Sequence, residues 1–252
     1  MPPSMLDHAA LSARFFFPRR AKVDPAFWVD THDGERLACF RATPHPGAPT
    51  VVYFHGNGEV VSDMLPAFPS WMASLGCNVV LAEYRGYGMS TGMPALVSQL
   101  DDVGTLLDAI DVPDERLVLF GRSLGSLYAI EGARRRPGAA ALVLESGIFD
   151  VGERVRLRVS AADVGATEEE LDAELARYFD PVGSLAAFRG HTLVLHTRHD
   201  TIVAAHHAES SHAAAREPKK LVLFDDGGHN DIFWRNREAY MAAVAELLRS
   251  LR

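Results

Sequence analysis

The chain has 252 residues, 48% of them hydrophobic, which is enough for one domain with a full buried core, or one domain carrying an insertion. Its formal net charge of −8 argues against a nucleic-acid partner, and no block of one sign is long enough to read as an interaction tail. Cys39 and Cys77 suggest neither a disulfide framework nor a zinc site, the N-terminal MPPSMLDHAALSARFFFPRR lacks a signal-peptide pattern, and no run approaches the roughly eighteen apolar residues of a membrane helix; the expectation is a soluble cytoplasmic protein with no integral membrane segment.

In chain order, residues 26–30 (AFWVD) and 36–41 (RLACFR) are two β-prone runs around Asp33-Gly34, the pattern of a hairpin. A proline-rich loop leads to TVVYF at 50–54, a buried strand ending in His55-Gly56-Asn57-Gly58. Residues 60–75 have helical spacing interrupted by Pro66 and Pro69, and NVVLAE at 78–83 is the next apolar strand. Pro94 is expected to open a helix on which Leu96, Leu100, Val103, Leu107 and Ile110 recur at three and four residues. Further strands are expected at 117–120 (LVLF), 141–145 (ALVLE), 192–196 (TLVLH) and 220–224 (KLVLF). The chain closes on an amphipathic helix through Tyr240, Val244, Leu247, Leu248 and Leu251. Strands alternating with helices give an α/β fold, a mostly parallel sheet covered on both faces with an antiparallel start, and functional groups gather at the C-terminal strand ends of such sheets.

Between 146 and 190 the interval is far longer than the roughly 2–6 residues of a βα loop, so it must carry structure of its own. Thr167-Glu168-Glu169-Glu170 is a capping box that opens a helix with Leu171, Leu175, Tyr178 and Phe179 on one side, which predicts a small helical cap partly roofing the site. Before it, Arg154, Arg156 and Arg158 alternate with Val155, Leu157 and Val159, yet Val151, Val155 and Val159 also fit a helix face, so the local structure stays open. The three arginines are either a solvated face or the receiver of an anionic acyl donor.

Chemistry concentrates in RLVLFGRSLGSLYAIEG at 116–132. An apolar strand, the pattern G-x-S-x-G at 121–125 and a helix follow one another there. This context describes a sharp turn that holds Ser123 proud of the sheet at the N-terminus of the helix, where flanking side chains larger than glycine would collide with neighbouring backbone. A serine hydroxyl is a poor nucleophile until a base takes its proton and a carboxylate fixes that base. His229, in the loop Asp225-Asp226-Gly227-Gly228-His229-Asn230 after the last strand, is the candidate base. Asp200, four residues beyond TLVLH, is the candidate acid, with Glu145 as its rival because it too ends a strand. The oxyanion needs two backbone N–H donors, expected from Leu124 and from the 55–58 loop, with Asn57 as donor and His55 as a brace for the loop. Two histidine sets, His196-His199-Asp200 and His206-His207-His212, have no familiar metal-ligand spacing, and no metal or other cofactor is expected.

Together these residues resemble the α/β-hydrolase family over nearly the whole chain: HGNG after the third strand, YRGYG followed by Ser90, Gly92 and Pro94 after the fourth, GRSLG at the elbow, then RHDTIV and GGHND. Within that family the chain resembles the small serine hydrolases that include serine aminopeptidase-like and depalmitoylase-like members. The resemblance implies the α/β-hydrolase fold, with 1–252 as a single domain and 146–190 as its cap insertion. It also implies a Ser123-Asp200-His229 triad with an oxyanion hole at Leu124 and Asn57. Its motifs are not specific for a substrate, and the expectation taken here is hydrolysis of the ester or thioester of a small-molecule acyl substrate. A peptidase on the same triad and a catalytically silent binding protein on the same scaffold are the alternatives. The sequence fixes no oligomeric state, and a monomer is compatible with it.

Overall fold

A computed structural model of the chain describes residues 4–251. The expected hairpin forms from β1 (Phe27–Asp30) and β2 (Arg36–Ala42), paired antiparallel across a turn in which Gly34 sits at φ 89°, a left-handed conformation that glycine adopts without steric cost. The remaining strands are β3 (Thr50–Phe54), β4 (Asn78–Ala82), β5 (Leu117–Arg122), β6 (Ala141–Glu145), β7 (His191–Thr197) and β8 (Lys219–Phe224). They complete an eight-stranded sheet in the order β1-β2-β4-β3-β5-β6-β7-β8. β2 pairs antiparallel with β4, and every pairing from β4 to β8 is parallel, as the alternating pattern predicts.

Every residue of β3, β4 and β6 is buried, which is why these strands read as continuous apolar runs. Successive side chains still alternate between two separate cores. Val51, Tyr53, Val79, Leu81, Val118 and Phe120 face one core. It is closed by Met72 of α2 (Ala67–Ser74) and by Tyr240, Val244 and Leu248 of α10 (Arg237–Ser250). Val52, Phe54, Val80, Ala82 and Leu119 face the other core, covered by α3 (Ser98–Ile110) and α4 (Gly125–Arg135).

Two local expectations are corrected. The helix expected from Pro94 begins only at Ser98, because its N-terminus is capped from a distance: the Asp7 carboxylate accepts from Val97 N at 2.6 Å and from Ser98 N and Oγ at 3.1 and 2.6 Å. The 60–75 stretch is interrupted at Pro66, as expected, into a 3₁₀ turn, Val61–Met64, and α2, but Pro69 does not interrupt it: it sits in the first turn of α2, where no intrahelical N–H bond is lost. An N-terminal helix, α1 (Ala9–Phe15), has no counterpart in the sequence reading and packs Leu11, Phe15 and Phe16 into the α3/α4 core.

Between β6 and β7 lie α5 (Val151–Arg156), a 3₁₀ turn at Ala161–Val164, α6 (Glu168–Tyr178) and α7 (Pro181–Ala187). The capping box works as its pattern predicts: Thr167 Oγ1 accepts from Glu170 N at 3.2 Å and Glu170 accepts from Thr167 N at 2.8 Å. The ambiguity at 151–159 resolves toward helix, with Val151, Val155 and Val159 all buried. α8 (His206–Ala214) connects β7 to β8, and α9 (Ile232–Arg235) precedes α10. Cys39 and Cys77 are buried free thiols. No helix among the described residues is long and apolar enough to cross a membrane.

Candidate active site

Ser123 stands at the C-terminal end of β5 with φ 49°, a left-handed conformation rare outside glycine. The turn is held by Ser123 N donating to Glu145 O at 2.8 Å and by Ser126 N and Oγ donating to Ser123 O at 3.0 and 2.7 Å. The flanking glycines are required by close approach: a Cβ at Gly121 would strike Gly125 O, and one at Gly125 would strike Phe54 O. The turn therefore packs against β3 with no room for a side chain on either side of the serine.

His229 and Asp200 arrive from the loops after β8 and β7. His229 Nε2 lies 2.9 Å from Ser123 Oγ, and His229 Nδ1 lies 2.7 Å from Asp200 Oδ2. The other carboxylate oxygen, Oδ1, accepts from the backbone N–H groups of Ile202 and Val203, each at 2.8 Å. Burial alone would raise the pKa of Asp200, but the His229 hydrogen bond and charge, with these two N–H donors, hold it below the usual aspartate value. The rival acid, Glu145, contacts other groups, with Oε2 accepting from Tyr240 OH at 2.6 Å and Oε1 lying 3.3 Å from Arg122 Nε.

Leu124 and Asn57 border the same cavity of about 220 Å³ as Ser123 and His229. The Asn57 side chain is engaged, with Oδ1 accepting from Phe17 N and Tyr87 OH and Nδ2 donating to Phe15 O at 2.6 Å. Its backbone N–H and that of Leu124 have no acceptor among the described residues, the condition an oxyanion donor must meet. His55 is buried behind this loop, with Nε2 2.8 Å from Glu83 and Nδ1 2.8 Å from Gly56 O. Burial opposes its protonation, yet Glu83 outweighs that and raises its pKa, and both ring nitrogens are spent on bracing the loop.

Arg122, the variable position of the elbow motif, ties the site together and went unread in the sequence. Its guanidinium meets Glu59 Oε1 at 2.7 Å and Glu145 Oε1 at 3.3 Å, and donates to His229 O at 3.0 Å and Asn230 Oδ1 at 3.2 Å. Glu59 Oε2 accepts in turn from Gly56 N at 2.7 Å. One ion network thus connects the 55–58 loop to the loop that carries His229. The available signal was that Arg122 and Glu145 end adjacent parallel strands in register.

The cap expectation is corrected in one respect. Leu171 and Leu175 of α6 are buried, Leu175 against Gly152 of α5, while Tyr178 and the following Phe179 border a cavity shared with Leu100, Leu127 and Ile130 of α3 and α4; none of the four lines the cavity at Ser123. Above Ser123 the walls are Phe15 and Phe17 from the N-terminal segment, Ile148, and Arg154 and Arg158.

Neither histidine set fits a metal ion. Asp200 is saturated by N–H donors, and His196 Nε2 donates to Val203 O at 2.8 Å. Glu153, His206 and His207 bring ligand atoms within 4.8 Å of one another. However, His207 Nδ1 accepts from Phe149 N and Asp150 N, both at 3.2 Å, so a neutral ring carries its proton on Nε2, the atom that faces Glu153. That leaves two ligands, short of a built site.

A family model described as serine aminopeptidase, S33 matches residues 46–167. An uncharacterized Mycobacterium tuberculosis protein, MT2364, is 33% identical over 212 residues, covering 81% of this chain and 71% of that protein. The α/β-hydrolase domain-containing protein WAV2 of Arabidopsis thaliana is 28% identical over 238 residues, covering 88% of this chain and 77% of that protein. The chain spans 64% of the length of another relative, YfhR of Escherichia coli O157:H7. Among solved structures, Est1E of Butyrivibrio proteoclasticus with ferulic acid bound superposes with a TM-score of 0.74 at 18% identity, covering 90% of this chain and 99% of that one, a likeness of fold.

Proposed function

The chain belongs to the α/β-hydrolase family, and on that premise we propose that it is a serine hydrolase that cleaves carboxylic esters or thioesters through an acyl-enzyme on Ser123. The observation that carries this reading is the unbroken hydrogen-bond chain Asp200–His229–Ser123, at 2.7 and 2.9 Å. His229 Nε2 takes the hydroxyl proton as Oγ bonds to the carbonyl carbon. Asp200 fixes the tautomer and stabilises the imidazolium, and the Leu124 and Asn57 N–H groups hold the tetrahedral oxyanion. The imidazolium proton passes to the leaving group as its bond to carbon breaks. Water then repeats the sequence on the acyl-enzyme, with His229 as base, and frees Ser123. We read residues 146–190 as a cap on a single domain, with α5 as its working wall.

The description of the matched model favours a second reading, hydrolysis of peptides from a free N-terminus. The cavity walls speak against it, because they carry Arg122, Arg154 and Arg158 and no carboxylate that would receive a substrate ammonium. Turnover of aminoacyl amides with inactivity on every ester would reverse this preference.

A fluorophosphonate probe is expected to label Ser123, and Ser123→Ala to lose the label in a protein with unchanged circular dichroism. Labelling at another residue, or none in well-folded protein, would refute the enzyme and leave a silent binding protein. The cavity of about 220 Å³ is smaller than a typical ligand site of roughly 300–1,000 Å³. Each buried methylene adds about 0.8 kcal/mol until the space is full, so reactivity on p-nitrophenyl esters should peak at roughly four to eight acyl carbons. A steady rise through sixteen carbons, measured as kcat/KM, would contradict a closed short pocket.

A further inference from the structure

Three arginines alternate at 154, 156 and 158, and the structure separates them. Arg156 turns to α6, where it pairs with Asp172 and with Glu168. Arg154 and Arg158, one turn apart on α5 and its C-terminal extension, both line the cavity that holds Ser123 and His229.

Neither of these two meets a carboxylate at ion-pair distance among the described residues. Arg158 lies over the Phe17 ring, 5.6 Å from its centroid, which holds the guanidinium in place without neutralising it. The nearest acids are engaged elsewhere: Glu153 faces His206 at 3.1 Å and His207 at 3.4 Å, and Asp200 is bonded to His229. Arg154 is half-buried, and burial depresses its pKa; the charge of Glu153 opposes this, the like charge of Arg158 adds to it, and Asp200 offsets part of it. In a chain of net charge −8, half-buried Arg154 and exposed Arg158 stand together in the wall of the cavity that holds Ser123 and His229, and their like charges oppose one another. An anion entering the cavity relieves that repulsion. Planar guanidiniums match the paired oxygens of a carboxylate, and the other lining side chains, Phe15, Ile148, Ile202 and Val203, suit a short apolar spacer.

We propose that Arg154 and Arg158 form an anion subsite, and that the substrate is an ester or thioester carrying a carboxylate a short spacer away from the scissile carbonyl. This deepens the serine-hydrolase reading and rests on it. The carboxylate can belong to the acyl group or to the leaving group, and the test has an arm for each.

In the acyl arm, p-nitrophenyl hydrogen glutarate is compared with p-nitrophenyl pentanoate. In the leaving-group arm, p-nitrophenyl butanoate is compared with its ring-carboxylated analogue. Wild-type protein should favour the anionic ester in one arm, and Arg154→Gln should reduce that kcat/KM ratio about tenfold or more, the loss expected for a charged hydrogen bond. Arg154→Gln/Arg158→Gln should bring the ratio near unity, while Arg156→Gln on the far side of the same helix keeps it. The proposal falls if neither arm has an anionic preference, or if the preference survives in the double variant. Folded protein that turns over none of the four esters refutes the serine-hydrolase reading instead. Calorimetric titration of glutarate into Ser123→Ala then decides the subsite alone: binding weakened about tenfold or more by Arg154→Gln supports it, and absent or unaltered binding overturns it.

Discussion

Replacing His229 with alanine is expected to lower kcat on a p-nitrophenyl ester by about five to six orders of magnitude, the scale on which loss of the base disables a serine triad. No second base is placed to substitute. His55 is buried and ion-paired to Glu83 at 2.8 Å, and His196 Nε2 already donates to Val203 O at 2.8 Å. The residual rate should be that of the oxyanion donors and substrate binding alone, about three to four orders above water. The backbone around the site should survive the change, because the His229 carbonyl, not its ring, is the group that Arg122 holds at 3.0 Å. Circular dichroism of the variant checks that point. A kcat within about a hundredfold of wild type in a folded variant would move the base to another residue.

The fold was legible because its central strands are buried on both faces and so write themselves as unbroken apolar runs, TVVYF, NVVLA and ALVLE. The elbow was legible for a different reason, since Gly121 and Gly125 sit where any Cβ would strike backbone and the motif therefore records a steric requirement. The candidate acid and base were placed by chain order and strand ends, and Ser123, His229 and Asp200 lie in one hydrogen-bonded line. What the sequence hid is long-range. The start of α3 depends on Asp7, some ninety residues away, so its boundary was misread toward Pro94. The Glu59–Arg122–Glu145 network joins three separate loops and strands, and no local period announces it. The side of α6 was read correctly as apolar, but periodicity gives a face and not its partner. Leu175 packs on α5 and Tyr178 borders α3 and α4, and none of that side lines the cavity at Ser123.

Asp200→Asn should lower kcat by about four orders of magnitude, and the local geometry says why an isosteric change is so costly. Oδ1 accepts two backbone N–H bonds, from Ile202 and Val203 at 2.8 Å each, while Oδ2 accepts from His229 Nδ1 at 2.7 Å. An amide at this position has one acceptor and one donor group. The two N–H groups demand the carbonyl oxygen, so the NH₂ is turned toward His229 and must donate to Nδ1. The imidazole proton is then driven to Nε2, which faces Ser123 Oγ and can no longer accept from it. In wild type the pKa of Asp200 lies below the usual aspartate value, so the carboxylate that accepts from Nδ1 stays ionised until pH falls through that lowered value. Glu145→Gln makes the contrast. Burial raises the pKa of Glu145, with Arg122 and Tyr240 acting in opposition, and the amide resembles the protonated form that burial favours. The bond that Glu145 gives the elbow, its carbonyl oxygen accepting from Ser123 N at 2.8 Å, is untouched by a side-chain change. Its effect on kcat should stay within about tenfold, through a small shift of Arg122. If Glu145→Gln proved the more damaging of the two in parallel single-turnover measurements, the Asp200–His229 bond would be structural and the acid would have to be sought along the Arg122 network.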